Sequence, residues 1–277
     1  MAPRILAQCW PRTTPSGSGL SLATRCLQLS ALALVAWWVF GCLGGVGFAP
    51  TATSDGGNDT SPVFNWHPLV MVLAFPVLMG EALLAYRDPA PTGIVSRPAK
   101  KVYHVSLQIA ALTLALLGFM AALRSHTLKR PTPIPNFYSP HSFLGLAVLL
   151  LLIAQAGLGM FAYVFPKLTL PQRTALSPVH IFLGRSIFAL GLAAAATGLQ
   201  EKATFLQAFG KAGVTTAAVR LPAVLLLLLA SIALCVLWQH APRAPQSAGG
   251  IVSVTAQDFE AVPLFDRGGA AAPRPYQ

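Results

Sequence analysis

An all-α integral membrane protein of six transmembrane helices is the fold this sequence predicts. Only 10% of its 277 residues are charged and 55% are hydrophobic, whereas a soluble domain carries about 25% charged residues. Mean hydropathy is +0.62. Six apolar runs are long enough to cross a hydrocarbon core of about 30 Å at about 1.5 Å per residue. The net charge of +11 does not point to nucleic acid: no basic patch interleaves with aromatics, and basic residues in membrane proteins commonly set orientation. The expected partner is the lipid bilayer.

Residues 1–26 carry Arg4, Arg12 and Arg25, several Ser and Thr, and no acid. They read as a disordered cytoplasmic tail, a composition shared by organellar transit peptides. The first span is expected at Leu27–Phe48. Gly41 and Gly45 form a small-xxx-small pair that permits close helix contact, and with it a homodimer. The polar loop that follows contains Asn58-Asp59-Thr60, an N-glycosylation sequon. The second span runs from about Phe64 to Tyr86; Pro68 suits the first turn of a helix, where its missing N–H is harmless. The third runs from about Lys101 to Leu123, the fourth from Tyr138 to Tyr163, the fifth from Pro178 to Leu199, and the sixth from Leu221 to Trp238. Residues 241–277, rich in Ala, Pro and Gly, read as a second disordered tail, leaving 27–240 as the membrane domain. The four cysteines form no C-x-x-C or C-x-x-C-H pattern, which excludes covalently attached haem; they read as apolar fillers.

With the N-terminus inside, twelve Lys and Arg fall on the inner side and six on the outer, with Arg185 inside the fifth span. The positive-inside rule then places both termini in the cytoplasm, and the sequon outside.

Spans two to five each carry one histidine near their start: His67, His104, His141 and His180. A polar ring in hydrocarbon usually marks function. Spans two and four run outside to inside, so His67 and His141 share the outer depth. Spans three and five run the other way, so His104 and His180 share the inner depth. Helical rise separates the two levels by roughly 22 Å. Two imidazoles on facing helices can clamp one haem iron from both sides. The expectation is a central bundle of helices two to five holding two b-type haems that carry electrons. The competing reading is a metal-ion transporter, which needs its ligands at one level and carboxylates among them; Glu81 is the only acid well inside a span. A haem protein with another donor, such as a quinol, is a third reading.

The motifs FNWHP (64–68), GEALLAYR (80–87), K-x-x-H (101–104), NFYSPHS (136–142), P-V-H-x-F-L-G (178–184) and QEKATF (200–205) stand in one order. In that order they resemble the cytochrome b561 family of transmembrane ascorbate-dependent reductases. The resemblance implies six helices, two haem b groups and electron flow from cytosolic ascorbate to monodehydroascorbate or a ferric chelate. It suits an endomembrane, vacuolar or plasma membrane. Phe143 stands where the family usually has Trp, which bears on the outer haem's potential. Gln108 stands where many members have a second histidine.

Arg97 and Lys101 match family basic residues, and with Arg173 they are expected to attract the ascorbate monoanion on the inner face. Lys100 reads as a topology residue. On the outer face His126, placed in the loop after the third span, matches a family histidine associated with the outer substrate. Imidazole exchanges protons near neutral pH, as ascorbate chemistry requires. Asn136 and Tyr138 are expected to line the same pocket. Glu81 and Arg185 sit at similar depth and are expected to pair, since either alone is costly in the membrane. His240 reads as a juxtamembrane residue.

Overall fold

The computed structural model describes residues 17–87 and 96–241. Six helical spans cross it, each long and apolar enough for a bilayer. The first is α1 (Gly17–Trp37), continued by a π-helical turn at Trp38–Cys42. A short antiparallel hairpin, β1 (Thr51–Ala52) with β2 (Asn58–Asp59), precedes the second span. That span is composite: α2 (Ser61–Phe64), α3 (Trp66–Val72), a π-helical segment at Leu73–Met79 and α4 (Gly80–Leu84). The remaining four are α5 (Arg97–Thr127), α6 (Pro140–Tyr163), α7 (Leu170–Ala208) and α8 (Ala217–Gln239).

The starts of these helices are chemically specified. Ser96 accepts from the Ala99 N–H at 3.3 Å and starts α5. Ser139 and Ser142 cap α6 reciprocally, with the Ser139 N–H donating to Ser142 Oγ at 3.0 Å. The Thr169 N–H donates to Gln172 Oε1 at 3.0 Å at the head of α7. Each motif satisfies N–H groups that the helix itself leaves unbonded. Proline stands in the first turn of all three, where its fixed φ favours the helix. The caps fix the depth of the histidines that follow them.

The first span corrects two expectations. It begins at Gly17 rather than Leu27, so residues 17–26 are helix and not tail. Its polar residues are matched by α8 and the second span. Ser21 Oγ donates to Gln239 Oε1 at 2.7 Å, and Gln239 Nε2 donates to Thr24 Oγ1 at 3.1 Å. Gln28 Nε2 donates to the Pro76 carbonyl at 2.8 Å. The helix also ends at Cys42, and Gly44 and Gly45 follow at φ of +81° and +80°, a region glycine enters without steric cost. Gly41 and Gly45 therefore do not share a helical face, and the contact motif behind a homodimer is lost. Residues 1–16 of the expected N-terminal tail and 242–277 of the C-terminal one lie outside the described residues.

Glu81 also has a different partner from the one expected. Arg25 Nε lies 3.0 Å from its Oε1, with both side chains largely buried, because the longer α1 carries Arg25 to the depth of α4. Arg185 does not take that place; its Nε is buried with no hydrogen-bond partner. Breaking a buried pair from one side leaves a charge uncompensated. Glu81→Gln is expected to destabilise the protein by about 3 kcal/mol, and the swap Arg25→Glu/Glu81→Arg to recover part of that. Thermal unfolding in detergent measures both.

Candidate functional site

The structure brings the four membrane histidines together in two couples. The His67 and His141 ring centroids are 5.9 Å apart, with their planes at 82°. Those of His104 and His180 are 6.5 Å apart, at 66°. Two metal–nitrogen bonds of about 2 Å, with about 1 Å from each nitrogen to its ring centre, span about 6 Å. Both couples fit one iron held between two imidazoles.

The helix opposite fixes each ring. His67 Nδ1–H donates to the Gly118 carbonyl of α5 at 2.9 Å. His104 Nδ1–H, on α5, donates to the Ala82 carbonyl of the second span at 2.7 Å. His141 Nδ1–H donates to the Ala194 carbonyl of α7 at 2.9 Å. His180, on α7, returns the relation to α6, where Gln155 Nε2 lies 3.0 Å from its Nδ1. A carbonyl on Nδ1 fixes the tautomer that leaves Nε2 free to bind metal.

The spacing is regular. Gly118 follows His104 by fourteen residues, Gln155 follows His141 by fourteen, and Ala194 follows His180 by fourteen. Fourteen residues of helix rise about 21 Å, so each helix carries its own histidine at one level and supports a histidine of its neighbour at the other. In the second span the interval from His67 to Ala82 is fifteen. That span contains the π-helical segment Leu73–Met79, whose i→i+5 bonding takes in an extra residue. The insertion keeps Ala82 in phase with His104.

Two glycines make room for the rings. A Cβ on Gly198 would stand 2.7 Å from His141 Cε1, and one on Gly159 would stand 3.1 Å from His180 Cε1. Around His67 and His141 lies a cavity of about 300 Å³, walled by Trp38, Phe64, Phe75, Phe119, Leu149 and Gly191 among others. It lies at the lower end of the range for cofactor pockets, about 300–1,000 Å³. The separations, the tautomers fixed at His67, His104 and His141, and the mainly apolar walls fit a haem. Among the described residues no three His, Cys, Asp or Glu converge on one point.

The residues expected at the outer substrate site meet at the mouth of this cavity. His126 lies on the last turn of α5 rather than in the loop, because that helix runs on to Thr127. Its Nδ1–H donates to Asn136 Oδ1 at 3.0 Å, and its ring stacks on Tyr138 at 6.4 Å. All three line the cavity together with Glu201 and Lys202, two residues that the sequence offered only inside the QEKATF motif. Glu201 Oε2 accepts from the Ser139 hydroxyl at 3.1 Å, and the Lys202 ammonium stands 4.7 Å over the Phe64 ring. Burial, and then the Glu201 carboxylate, hold the Tyr138 phenol above its usual pKa. Phe143, by contrast, is 61% exposed and is not part of the wall, so its replacement of a tryptophan does not touch the cavity.

At the other end Lys101 Nζ donates to the Tyr163 carbonyl, and the Tyr163 ring lies 5.3 Å from His180. The Tyr163 hydroxyl is 3.4 Å from the Arg173 carbonyl, and Arg173 Nε is buried without a hydrogen-bond partner. Arg97 is exposed at the head of α5, and its charge acts on Tyr86, whose ring is 5.7 Å from His104. Lys101 and Arg97 thus each act on an aromatic residue that borders this couple, while Arg173 meets Tyr163 through its main chain. His240 is buried rather than merely juxtamembrane: its Nδ1 and Nε2 stand 2.8 Å and 3.0 Å from the Val236 and Leu83 carbonyls. Burial lowers its pKa, the Val236 carbonyl opposes that, and Arg185 and Arg87 add to the lowering. Asn58, the sequon residue, clamps two loops: Nδ2 donates to the Leu128 carbonyl and Oδ1 accepts from the Arg130 N–H, each at 2.8 Å.

A family model described as eukaryotic cytochrome b561 matches residues 66–206. The chain belongs to the cytochrome b561 family. Transmembrane ascorbate ferrireductase 2 of Arabidopsis thaliana is 40% identical over 191 residues, 69% of this chain and 77% of that protein. The lysosomal membrane ascorbate-dependent ferrireductase CYB561A3 of Mus musculus is 35% identical over 54% of this chain and 60% of its own length. The plasma membrane ascorbate-dependent reductase CYBRD1 of Xenopus laevis is 36% identical over 54% and 51%. Membership of this family implies haem b.

Because the Glu201 charge disfavours a phenolate beside it, Glu201→Gln is expected to bring the Tyr138 titration down towards the ordinary tyrosine range. Ultraviolet difference titration checks this, with Tyr138→Phe as the blank.

Proposed function

We propose that this cytochrome b561 family protein is a transmembrane ascorbate-dependent reductase holding two haem b groups, one between His67 and His141 and one between His104 and His180. The observation that carries the reading is the pairing of the four imidazoles at ring separations of 5.9 and 6.5 Å. Ascorbate-dependent reduction by the relatives supports the donor. Each bound haem supplies a one-electron couple.

The chain's own residues do the rest. Each imidazole couple would hold one haem iron, and a haem so held would supply electron transfer rather than binding of a small ligand. The apolar walls exclude water and fix the surroundings that set potential. Lys101, Arg97 and Arg173 form the electropositive rim that concentrates ascorbate, an anion, at the His104 end. At the His67 end Lys202 offers the acceptor a positive charge, and His126, oriented by Asn136, offers a proton-exchanging ring. That end takes monodehydroascorbate or a ferric chelate. The Lys and Arg bias puts the His104 end and both termini in the cytoplasm.

His67→Ala and His104→Ala are each expected to lose one of the two haems while keeping the other, read as haem per protein and as the disappearance of one of two steps in a redox titration. Purified protein with no reduced low-spin haem band would instead return the histidines to a metal-transport reading. Arg97→Ala/Lys101→Ala is expected to raise KM for ascorbate about tenfold, equivalent to about 1.4 kcal/mol, with both haems retained. An unchanged KM, with ascorbate a poor reductant of the wild type, would favour a quinol or other donor.

A further inference from the structure

Three of the four imidazoles rest on main-chain carbonyls, which no substitution removes. His180 does not. Position 155 stands fourteen residues along α6 from His141, the offset that elsewhere places a supporting carbonyl, and here a side chain takes that role. Gln155 is 8% exposed. Its Nε2 lies 3.0 Å from His180 Nδ1 and donates at 2.6 Å to the His180 carbonyl. Its Oε1 is buried with no hydrogen-bond partner. One turn further on, Gly159 leaves space for the His180 ring, and Gly184 borders the Gln155 amide.

An imidazole that binds metal through Nε2 carries its proton on Nδ1 and needs an acceptor there. The oxygen and nitrogen of a carboxamide exchange places by a half-turn of its last torsion. That half-turn presents the unpartnered Oε1 to Nδ1–H. Because Nε2 stands 2.6 Å from the His180 carbonyl oxygen, the carboxamide must also swing away from that oxygen as its own oxygen turns to Nδ1–H; the carbonyl lies within α7 and keeps its place in the helical ladder. Hydrogen bonding at the far nitrogen raises the basicity of a ligating imidazole, which favours the ferric over the ferrous state.

We propose that Gln155 is the positioning residue of His180 and, by accepting its Nδ1–H, sets the reduction potential of the His104/His180 haem separately from that of the His67/His141 haem. This rests on the two-haem reading above.

The test is spectroelectrochemical titration of the full-length haem-loaded protein as wild type, Gln155→Leu and Gln155→Glu. Leucine fills similar volume without an acceptor, so the His104/His180 potential is expected to rise. Glutamate is a stronger acceptor and is expected to lower it. Each change should move that haem's reduction equilibrium about tenfold, or about 59 mV for one electron. The His67/His141 potential stays fixed in all three and serves as the internal measure of folding. Potentials unchanged in both variants, or shifted in the same direction by both, would overturn the proposal while leaving the two-haem reading intact. A wild type that holds no haem would remove both.

Discussion

The structure depends on a hydrogen bond between an imidazole Nδ1–H and a carbonyl on the antiparallel neighbour. In hydrocarbon a neutral imidazole needs a partner for its donor, and in an all-helical bundle the abundant acceptor is the main chain. His67, His104 and His141 each use it, and the choice decides which nitrogen keeps a free lone pair. The same bond satisfies a buried polar group, fixes a tautomer and orients a metal ligand.

From that bond follows the way the bundle is assembled. The second span and α5 support one another's histidine, as α6 and α7 do, so the four central helices form two reciprocal hairpins. The couples form across them: His67 with His141 and His104 with His180. Neither hairpin completes a couple by itself. Because each helix serves both levels, its phase must hold over about 21 Å, roughly four turns. The π-helical segment of the second span restores the phase that an interval of fifteen residues would otherwise break. The outer helices brace this core at the His104 end. Arg25 reaches Glu81, Gln28 reaches the Pro76 carbonyl, and His240 reaches Leu83, next to the residue that holds His104.

The two ends are built for different chemistry. At the His104 end Lys101 bonds the Tyr163 carbonyl, and Arg97 acts on Tyr86, a neighbour of His104. At the His67 end the cavity lining mixes an imidazole, a phenol, a carboxylate and an ammonium, and the carboxylate helps hold the phenol's pKa up. The bundle thus carries different groups at its two ends. The asymmetry extends inward, where a side chain rather than a carbonyl stands behind His180.

What the sequence determined by itself was the number of spans, their alternation and the level of each histidine along its helix. These depend on local quantities: apolar length against bilayer thickness, and residue count times helical rise. His67 with His141 and His104 with His180 followed from alternation alone. Helix limits were less legible, because Ser21, Thr24 and Arg25 look like tail until α8 and the second span supply their partners. The partner of Glu81 was misread for the same reason, since depth alone does not say which helix lies beside which. The role of Gln155, the place of Lys202 at the cavity mouth and the compensating π-helical segment belong to the tertiary structure. Each is a relation of angle and distance between helices, and a linear pattern encodes depth along the membrane normal but not rotation about it.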